Sequence, residues 1–284
     1  MTTVGSTHTR PGDRIFRGLS TSAATLITVL ITAIGVFLVW RAVPALRRNE
    51  GGLWGFFSYA GPWETQNTQA MHFGIPNLLA VTVLISVVAL ALAMPVALGI
   101  AIFLSHYAPA RLVRPLGYLV DMLAAVPSIV YGLWGWLVLG PWLSGLYEWL
   151  ARWAGGFFLF TQYDNSPAFA TGRNLFTGGI VLAVMILPII AATAREVFVQ
   201  TPKGQVEAAL ALGETMALYM VISPAAGFRF SLFDGGTTFA TAIANAAPEF
   251  NNNISAGAYI AAGLVLFVLT FVVNSIARAL VAKK

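Results

Sequence analysis

Charged side chains are scarce in this sequence. Only 10% of its 284 residues are Asp, Glu, Lys or Arg, whereas 58% are hydrophobic, and a soluble domain has about 25% charged residues. A soluble fold of this length has too large a surface to cover with so few charges. A lipid bilayer, by contrast, accepts apolar side chains on the outside of a protein. The composition therefore predicts an integral membrane protein.

The residues of several catalytic chemistries are also missing. The sequence has no cysteine, which excludes disulfides and thiolate metal sites. Its three histidines, His8, His72 and His106, lack the spacing of metal ligands. No GxxxxGK[ST] loop occurs, so the chain does not hydrolyse ATP by that route. An enzyme is the least favoured class, no cofactor is expected, and energy for transport must come from a partner or a gradient.

Six apolar segments follow one another along the chain. A helix needs about 20 mostly apolar residues to cross a bilayer core, and five of the segments meet this requirement. The sixth, residues 208–222, would span about 22 Å, less than the roughly 30 Å hydrocarbon core. The predicted fold is all-α, with five clear spans and one short or partial span: residues 19–43, 75–104, 116–139, 176–194, 208–222 and 256–281.

Lysine and arginine set the expected orientation. With residues 1–18 in the cytoplasm and all six segments crossing, ten basic residues lie inside and six outside, the direction that the positive-inside rule favours. All eight tryptophans then fall at or beyond the outer ends of spans. The basic residues form small groups between apolar stretches, so the net charge of +5 does not indicate nucleic-acid binding. The first segment is too long for a cleaved signal peptide.

A carboxylate within an apolar segment is the strongest candidate for a place on a transport path. Glu214, followed by Thr215, lies in the short segment, and a charge at a helix centre costs around 2.5 to 3.5 kcal/mol on the insertion scale. Glu214 is expected to face a pathway or gate, or else to be paired structurally. Asp121 lies near the start of its span, where it can simply favour the helix N-terminus.

A proline inside the third segment marks a second candidate region. Pro127 can break the span and free backbone carbonyls. Ser128 and Tyr131 would then satisfy those carbonyls or line a path, while a packing kink alone is an equal alternative. Arg195 and Glu196 end the fourth segment at the inner boundary, where they are either path residues or a solvated rim.

Residues 141–158 mix tryptophans and leucines at helical spacing with Glu148 and Arg152. This pattern predicts an amphipathic helix. It would lie on the outer membrane surface or pack on the protein's own outer face, and the pattern does not distinguish the two.

The first half of a known signature lies on the inner side after the fourth segment. Residues 207–213 read EAALALG, which resembles the EAAxxxG start of the coupling loop in ABC import permeases. In that family the loop forms a short helix that docks on the cytoplasmic ATPase and transmits its motion. The resemblance assigns this coupling role to Glu207, Ala208, Ala209 and Gly213.

Further stretches make the resemblance more specific. Residues 118–135, 185–189, 195–198, 231–236 and 261–271 are similar, in order, to the PstC family of phosphate permeases. The resemblance implies a six-span permease of the type I ABC importer kind in the bacterial plasma membrane. It also implies three partners, which are a sister permease (PstA-like), a cytoplasmic ATPase dimer (PstB-like) and an extracytoplasmic phosphate-binding protein (PstS-like).

The chain departs from this family after Gly213. The family continues EAAxxxG with about nine residues and I-x-L-P, whereas here Gly213 is followed by Glu214 and Thr215 in a GETMA stretch. That stretch resembles a later motif, GRALGET, in the family's fifth span. The junction predicts an internal deletion of roughly thirty residues, enough for a coupling helix and part of a span.

Two consequences are expected from this junction. The second half of the coupling helix is missing, so docking of the ATPase should be weakened or lost. Leu210 stands where the family has an arginine, so Glu214 lacks its cationic neighbour and should repel phosphate. Two alternatives remain open, namely a permease for another oxyanion, such as sulfate or molybdate, and a coupling-defective paralogue that assembles or signals without transport.

Overall fold

The computed structural model describes residues 11–67, 69–162, 167–199, 218, 220–225, 230–246 and 253–282. All named elements among them are helical, which confirms the predicted all-α class. Two π-turns, Phe103–Tyr107 and Gly135–Leu139, interrupt the regular helices. In chain order the helices are α1 (Pro11–Arg48), α2 (Gly52–Ser58), α3 (Pro76–Ile102), α4 (Ala110–Ala124), α5 (Ser128–Trp134), α6 (Gly140–Ala154), α7 (Pro167–Ala170), α8 (Leu175–Val199), α9 (Phe239–Ala246) and α10 (Asn253–Ala282).

Five helical segments of the described chain are long and apolar enough to cross a membrane. They are Ile15–Arg48, Pro76–Tyr107, Ser128–Ala154, Leu175–Arg195 and Asn253–Ile276. Four of them coincide with predicted spans. Many large apolar side chains of α1 are exposed, such as Leu26 at 59% and Val36 at 64%. Such a surface suits contact with lipid rather than water.

The third span differs from its prediction at residues 116–139. α4 ends at Ala124, because Pro127 has no N–H to donate and disfavours helical backbone in the residue before it. The helix restarts at Ser128 and runs through the second π-turn into α6, ending at Ala154. The helix predicted at residues 141–158 is present as α6 and is continuous with this helical segment. Its Leu143 and Tyr147 are buried in the protein core, which favours the alternative of packing on the protein.

The main core lies between α3 and α8. The buried residues of α3 recur every three or four positions and so form one stripe, and α3 makes its most extensive packing with α8. Alanines at a four-residue spacing let the two helices approach closely, as small residues do in membrane helix pairs. The stripe consists of Leu78, Val81, Ile85, Ala89, Ala93, Ala97 and Ala101.

A second core joins α1 to α10. Ala42 and Ala45 of α1 are fully buried, as is Ala258 of α10. Gly257 permits this approach, because a Cβ there would come 2.9 Å from the backbone oxygen of Arg41. The Arg41 guanidinium also donates to Asn253 Oδ1 at 3.1 Å. The end of α1 therefore lies beside the start of α10, and the two helices run in opposite directions.

The two ends of α8 define the two sides of the bundle, called here the Arg173 side and the Arg195 side. The starts of α3 and α8 lie together, since a Cβ on Gly236 would touch both Val81 and Leu175. On the other side, the end of α8 lies against α4, where Arg195 contacts Gly117. α3 and α8 therefore begin on the Arg173 side, and α4 lies at the opposite side.

The chain also returns to the Arg173 side after α8. α8 ends at Val199 on the Arg195 side. Ile222, however, packs against Gly178 within the first turns of α8, and Val221 packs beside Gly135. Ile222 therefore lies at the opposite side of the bundle from the end of α8. A sixth crossing by residues 208–222 stays a prediction; of these, Leu218 and residues 220–222 are described.

Candidate functional site

Six of the predicted site residues lie outside the described residues. They share the stretch between Val199 and Leu218, and their roles stay predictions. Glu207, Ala208, Ala209 and Gly213 are the proposed coupling residues, and Glu214 and Thr215 are path candidates.

The break at Pro127 is closed by hydrogen bonds. Tyr131 donates its phenolic O–H to the carbonyl oxygen of Leu123 at 2.8 Å, reaching back across the break. The N–H of Val126 also donates to that carbonyl at 3.3 Å, and Val130 donates to Pro127 at 2.9 Å. Tyr131 thus satisfies a carbonyl near the proline, the first of its two predicted roles. Ser128 begins α5 and is half-buried, and its place on a path stays a prediction.

Arg195, another described path candidate, lies against α4. Its guanidinium Nη1 packs on Gly117, where a Cβ would collide with it. Arg195 is half-buried and takes part in neither of the ion pairs that the described residues form, His72–Glu50 and Arg152–Glu148. Its neighbour Glu196 is in α8.

α4 contacts two of the described candidates, Tyr131 and Arg195. It supplies Gly117 to Arg195 and the Leu123 carbonyl to Tyr131. These positions are less than two helical turns apart. A displacement of α4 would therefore change the surroundings of both side chains, which suits a moving part of a transport path.

The opposite end of α8 is held by a buried polar network. Asn174 caps the helix, because its Oδ1 accepts the N–H of Thr177 at 2.9 Å. The Thr177 hydroxyl donates to the carbonyl of Gly172 at 2.6 Å and lies 2.6 Å from the hydroxyl of Tyr147 in α6. Thr177 is fully buried, as are Asn174 and Tyr147. The network fixes the start of α8 against the third span.

A small cavity lies beside this network on the Arg173 side. It measures about 280 Å³, and α9 contributes Thr241 and Asn245 to its wall. The guanidinium carbon of Arg173 sits 4.9 Å from the ring centre of Trp136, within the range of a cation–π contact. Trp136 belongs to the π-turn Gly135–Leu139, and such turns occur often at functional sites. The other lining residues are Leu218, Met220, Ile222, Pro224 and Gly236.

A larger cleft of about 590 Å³ between α1, α3, α8 and α10 offers few free polar groups. The hydroxyls of Thr82 and Ser86 donate to carbonyls of their own helix at 2.7 Å each. Thr270 does the same at 2.8 Å, and Thr238 pairs with Thr241. The larger cleft is therefore an apolar space, and the cavity at Arg173 carries the cationic group.

Sequence reasoning counted Arg173 and Trp136 only as an outer charge and an outer tryptophan. The sequence did contain a signal. Arg173 directly precedes Asn174, which caps α8, and an arginine at the start of a span places a cation at a fixed depth. Other residues that line the cavity with Arg173 come from α9 and from residues 220–224, which are distant from Arg173 in the sequence. Only the fold brings them together.

Helices of span length, a span broken at a proline and a cationic cavity at one end are the architecture of a multi-span membrane permease. Among the described residues, no group of three or more His, Cys, Asp or Glu side chains could hold a metal ion. No family model matches the chain, and no solved structure matches it.

Curated relatives, however, match nearly the whole chain. It is 45% identical to the phosphate transport system permease protein PstC 2 of Mycobacterium tuberculosis, over 97% of this chain and 93% of the relative. The PstC of Mycobacterium leprae is also 45% identical, over 98% and 95%, and that of Pasteurella multocida is 36% identical, over 90% of each. The chain belongs to the PstC family of phosphate transport system permease proteins.

The alignment with the Mycobacterium tuberculosis relative is also longer than this chain. The alignment with the Mycobacterium tuberculosis protein extends over 308 positions, which exceeds the 284 residues of the chain by 24. The relative therefore carries at least that many residues without a counterpart here. This agrees with the predicted loss of a long internal stretch, and the junction at Gly213–Glu214 stays the predicted location.

Proposed function

We propose that this chain is the membrane channel subunit of an ATP-driven importer that moves inorganic phosphate into the cell. One observation carries the proposal, which is the 45% identity over 97% of the chain to proteins named phosphate transport system permease. The described helices support it, because they supply the spans that a channel subunit requires. The sequence contains no GxxxxGK[ST] loop, so ATP hydrolysis falls to another subunit.

The proposed assembly has three further kinds of subunit. A PstA-like sister permease completes the channel, a PstB-like ATPase dimer binds on the cytoplasmic side, and a PstS-like protein delivers phosphate from outside. Exposed apolar side chains on the third span, such as Leu137 at 63% and Val138 at 55%, provide surface for the sister permease or for lipid. This assembly follows from membership in the family.

The proposed orientation places the N-terminus and the Arg195 side in the cytoplasm. Arg111 and Arg114 lie in α4 and Arg278 at the end of α10, so all three reach this side with Arg195. The Arg173 side then faces outward and carries the tryptophans Trp54, Trp142 and Trp153, which are 77–79% exposed. Basic residues inside and tryptophans at the outer boundary are both typical of membrane proteins.

In this orientation the path candidates fall at two depths. Ser128, Tyr131, Arg195 and Glu196 belong to the cytoplasmic half, around α4, and Glu214 and Thr215 belong to the proposed sixth crossing. α4 is the element best placed to move with the ATPase, because it contacts α8 through Arg195 and ends at a proline break. We propose that Glu207, Ala208, Ala209 and Gly213 dock on the ATPase.

A second candidate is favoured by one observation, the residues missing relative to the family. If the gap falls at the coupling loop, this chain assembles in the membrane but docks the ATPase poorly. Co-purification tests this directly: tagged chain and ATPase are co-expressed, and the ATPase recovered per permease is measured. Weak recovery supports the coupling-defective form, and recovery at full stoichiometry contradicts it.

Phosphate uptake tests the leading proposal. The chain would be expressed with its partner subunits in cells that lack their own phosphate permease, and radiolabelled phosphate uptake would be measured at micromolar concentration. Uptake above the empty-vector control, with excess sulfate having no effect, supports a phosphate permease. Competition by sulfate equal to that by unlabelled phosphate would favour the permease of another oxyanion.

A further inference from the structure

We infer that the cavity at Arg173 is a binding site for a small oxyanion such as free phosphate, on the side of the bundle where α8 begins. The inference rests on the proposed function in one respect only, namely that this site is an outer binding site on the transport path. The binding itself rests on the geometry of the cavity. Arg173 is not among the path candidates predicted from the sequence.

The first argument is the unsatisfied donor on Arg173. Its Nε is buried and has no hydrogen-bond partner in the described part of the chain. Arg173 is half-buried and takes part in neither described ion pair. A buried donor without an acceptor costs about 1–3 kcal/mol, and more when it is charged. An oxyanion that contacts the guanidinium, which lines the cavity, would supply the missing counter-charge.

The second argument is that the nearby carboxylate, that of Asp234, forms no described ion pair with Arg173. Asp234 lies close, since its carbonyl oxygen accepts the N–H of Leu175 at 3.0 Å, but its carboxylate accepts the N–H of Gly235 at 2.8 Å. Asn174, next to Arg173, likewise leaves its Nδ2 buried without a partner. Two adjacent residues thus present donors without acceptors.

The helix N-terminus itself does not provide the site. The N–H of Leu175 donates to Asp234, that of Phe176 donates to Leu232 at 2.8 Å, and that of Thr177 donates to Asn174. The backbone donors of the first turn of α8 are therefore occupied. The cation in the cavity is the Arg173 guanidinium, whose planar donors match two oxygens of phosphate or sulfate.

The third argument is that the cavity positions the guanidinium and has room for the ligand. The ring of Trp136 supports one face of the guanidinium at 4.9 Å, which leaves its edge for hydrogen bonds. Asn245, which is exposed, brings an amide to the same cavity. Its volume of about 280 Å³, against roughly 30 Å³ for one water in the liquid, accommodates a tetrahedral oxyanion with part of its water shell.

Thermal unfolding in lipid-free detergent tests the site. The midpoint would be measured against rising phosphate and, separately, sulfate, with chloride at matched ionic strength as reference. Arg173→Gln should raise the half-maximal anion concentration about tenfold or more. Asn245→Asp, nearly the same size, should weaken binding by placing a negative charge in the cavity. Arg152→Gln is the matched control, since Arg152 is an exposed arginine paired with Glu148 at 3.7 Å, and should bind as the parent chain does.

The outcomes separate this inference from the proposed function. Anion-dependent stabilisation that Arg173→Gln abolishes supports the site, even if the chain fails in the uptake assay. A phosphate effect no larger than that of chloride, or one unchanged in both Arg173→Gln and Asn245→Asp, overturns it even if uptake is normal. An effect that appears only after phosphatidylglycerol is added overturns it too, because the ligand would then be a lipid headgroup.

Discussion

Single side chains hold the broken third span together. Tyr131 spans the gap at Pro127 by donating to the carbonyl of Leu123. In a membrane, lipid offers no donor to replace this bond. The hydroxyl of Tyr131 therefore has a structural role, whether or not it also contacts a substrate.

Tyr131→Phe should lower the free energy of unfolding by about 0.5–1.5 kcal/mol, because it removes this one donor and leaves the ring in place. The measurement is the unfolding midpoint in detergent. Tyr118→Phe is the control, since Tyr118 is 71% exposed on α4, and it should behave like the parent. Equal midpoints for Tyr131→Phe and the control would show that the bond to Leu123 adds nothing to stability.

Gly172 is a position where only glycine fits. Its φ of +66° is in the left-handed region, and a Cβ there would collide with the backbone of Gly140. Gly172→Ala should therefore cost about 1–3 kcal/mol in the same unfolding assay. Gly145→Ala in α6 should instead be neutral or stabilising by up to about 1 kcal/mol, since a Cβ there meets nothing within 4 Å. Similar losses in both variants would refute the steric account of Gly172.

At the scale of elements, the start of α8 depends on its cap. Asn174→Ala should destabilise the protein by about 1 kcal/mol, because the N–H of Thr177 loses its acceptor. Asn174→Ser should recover most of that loss, since serine is also a good cap. Unfolding midpoints of the two variants test this, and an alanine variant as stable as the serine variant would contradict it.

The elements also show where sequence reasoning succeeded. Spans could be predicted from apolar length, since lipid requires about 20 such residues in one helix. The break at Pro127 was one of two open interpretations of the sequence, and the apolar helical segment that begins after it, Ser128–Ala154, differs in its bounds from the predicted residues 116–139. The continuation into α6 was not predicted, because the predicted span ended at residue 139 and a separate helix was predicted from residue 141; Gly140 and Pro141 occupy the start of α6.

The candidate site was harder to predict than the spans. Tyr131 and Arg195 stood out because each is a polar residue near a break or an end of an apolar segment. Arg173 did not stand out, because its importance comes from Trp136 and Asn245, which lie 37 residues before it and 72 after it. The cavity arises only when a π-turn, a helix start and α9 meet.

At the scale of the whole molecule, the chain's lack of cysteine makes the proposed orientation easy to test. Gln66→Cys lies before α3, on the Arg173 side, and Arg111→Cys lies in α4, on the Arg195 side; both positions are exposed. A membrane-impermeant maleimide should label the first in intact cells and the second only after permeabilisation. The reverse pattern would place the N-terminus outside the cytoplasm.

The residues that this chain lacks relative to its family also bear on the function of the whole molecule. The alignment with the Mycobacterium tuberculosis relative exceeds the chain by 24 positions, and the predicted junction would remove part of the coupling loop and of a span. Leu210 then stands without the family's arginine beside Glu214. Leu210→Arg should increase phosphate uptake by an otherwise active assembly, since it restores a cation to the path. Unchanged uptake in this variant would argue against a repulsive role for Glu214.

The most direct test of the account is ATP-dependent phosphate uptake by the assembly reconstituted in liposomes, with the relatives' segment inserted between Gly213 and Glu214. The account predicts uptake that requires ATP, the ATPase and the phosphate-binding protein, and that sulfate does not inhibit. The chain without the inserted segment, measured in parallel, should transport phosphate more slowly than the extended chain. An extended chain that binds its partners but moves no phosphate would contradict the proposal that this protein is a phosphate permease.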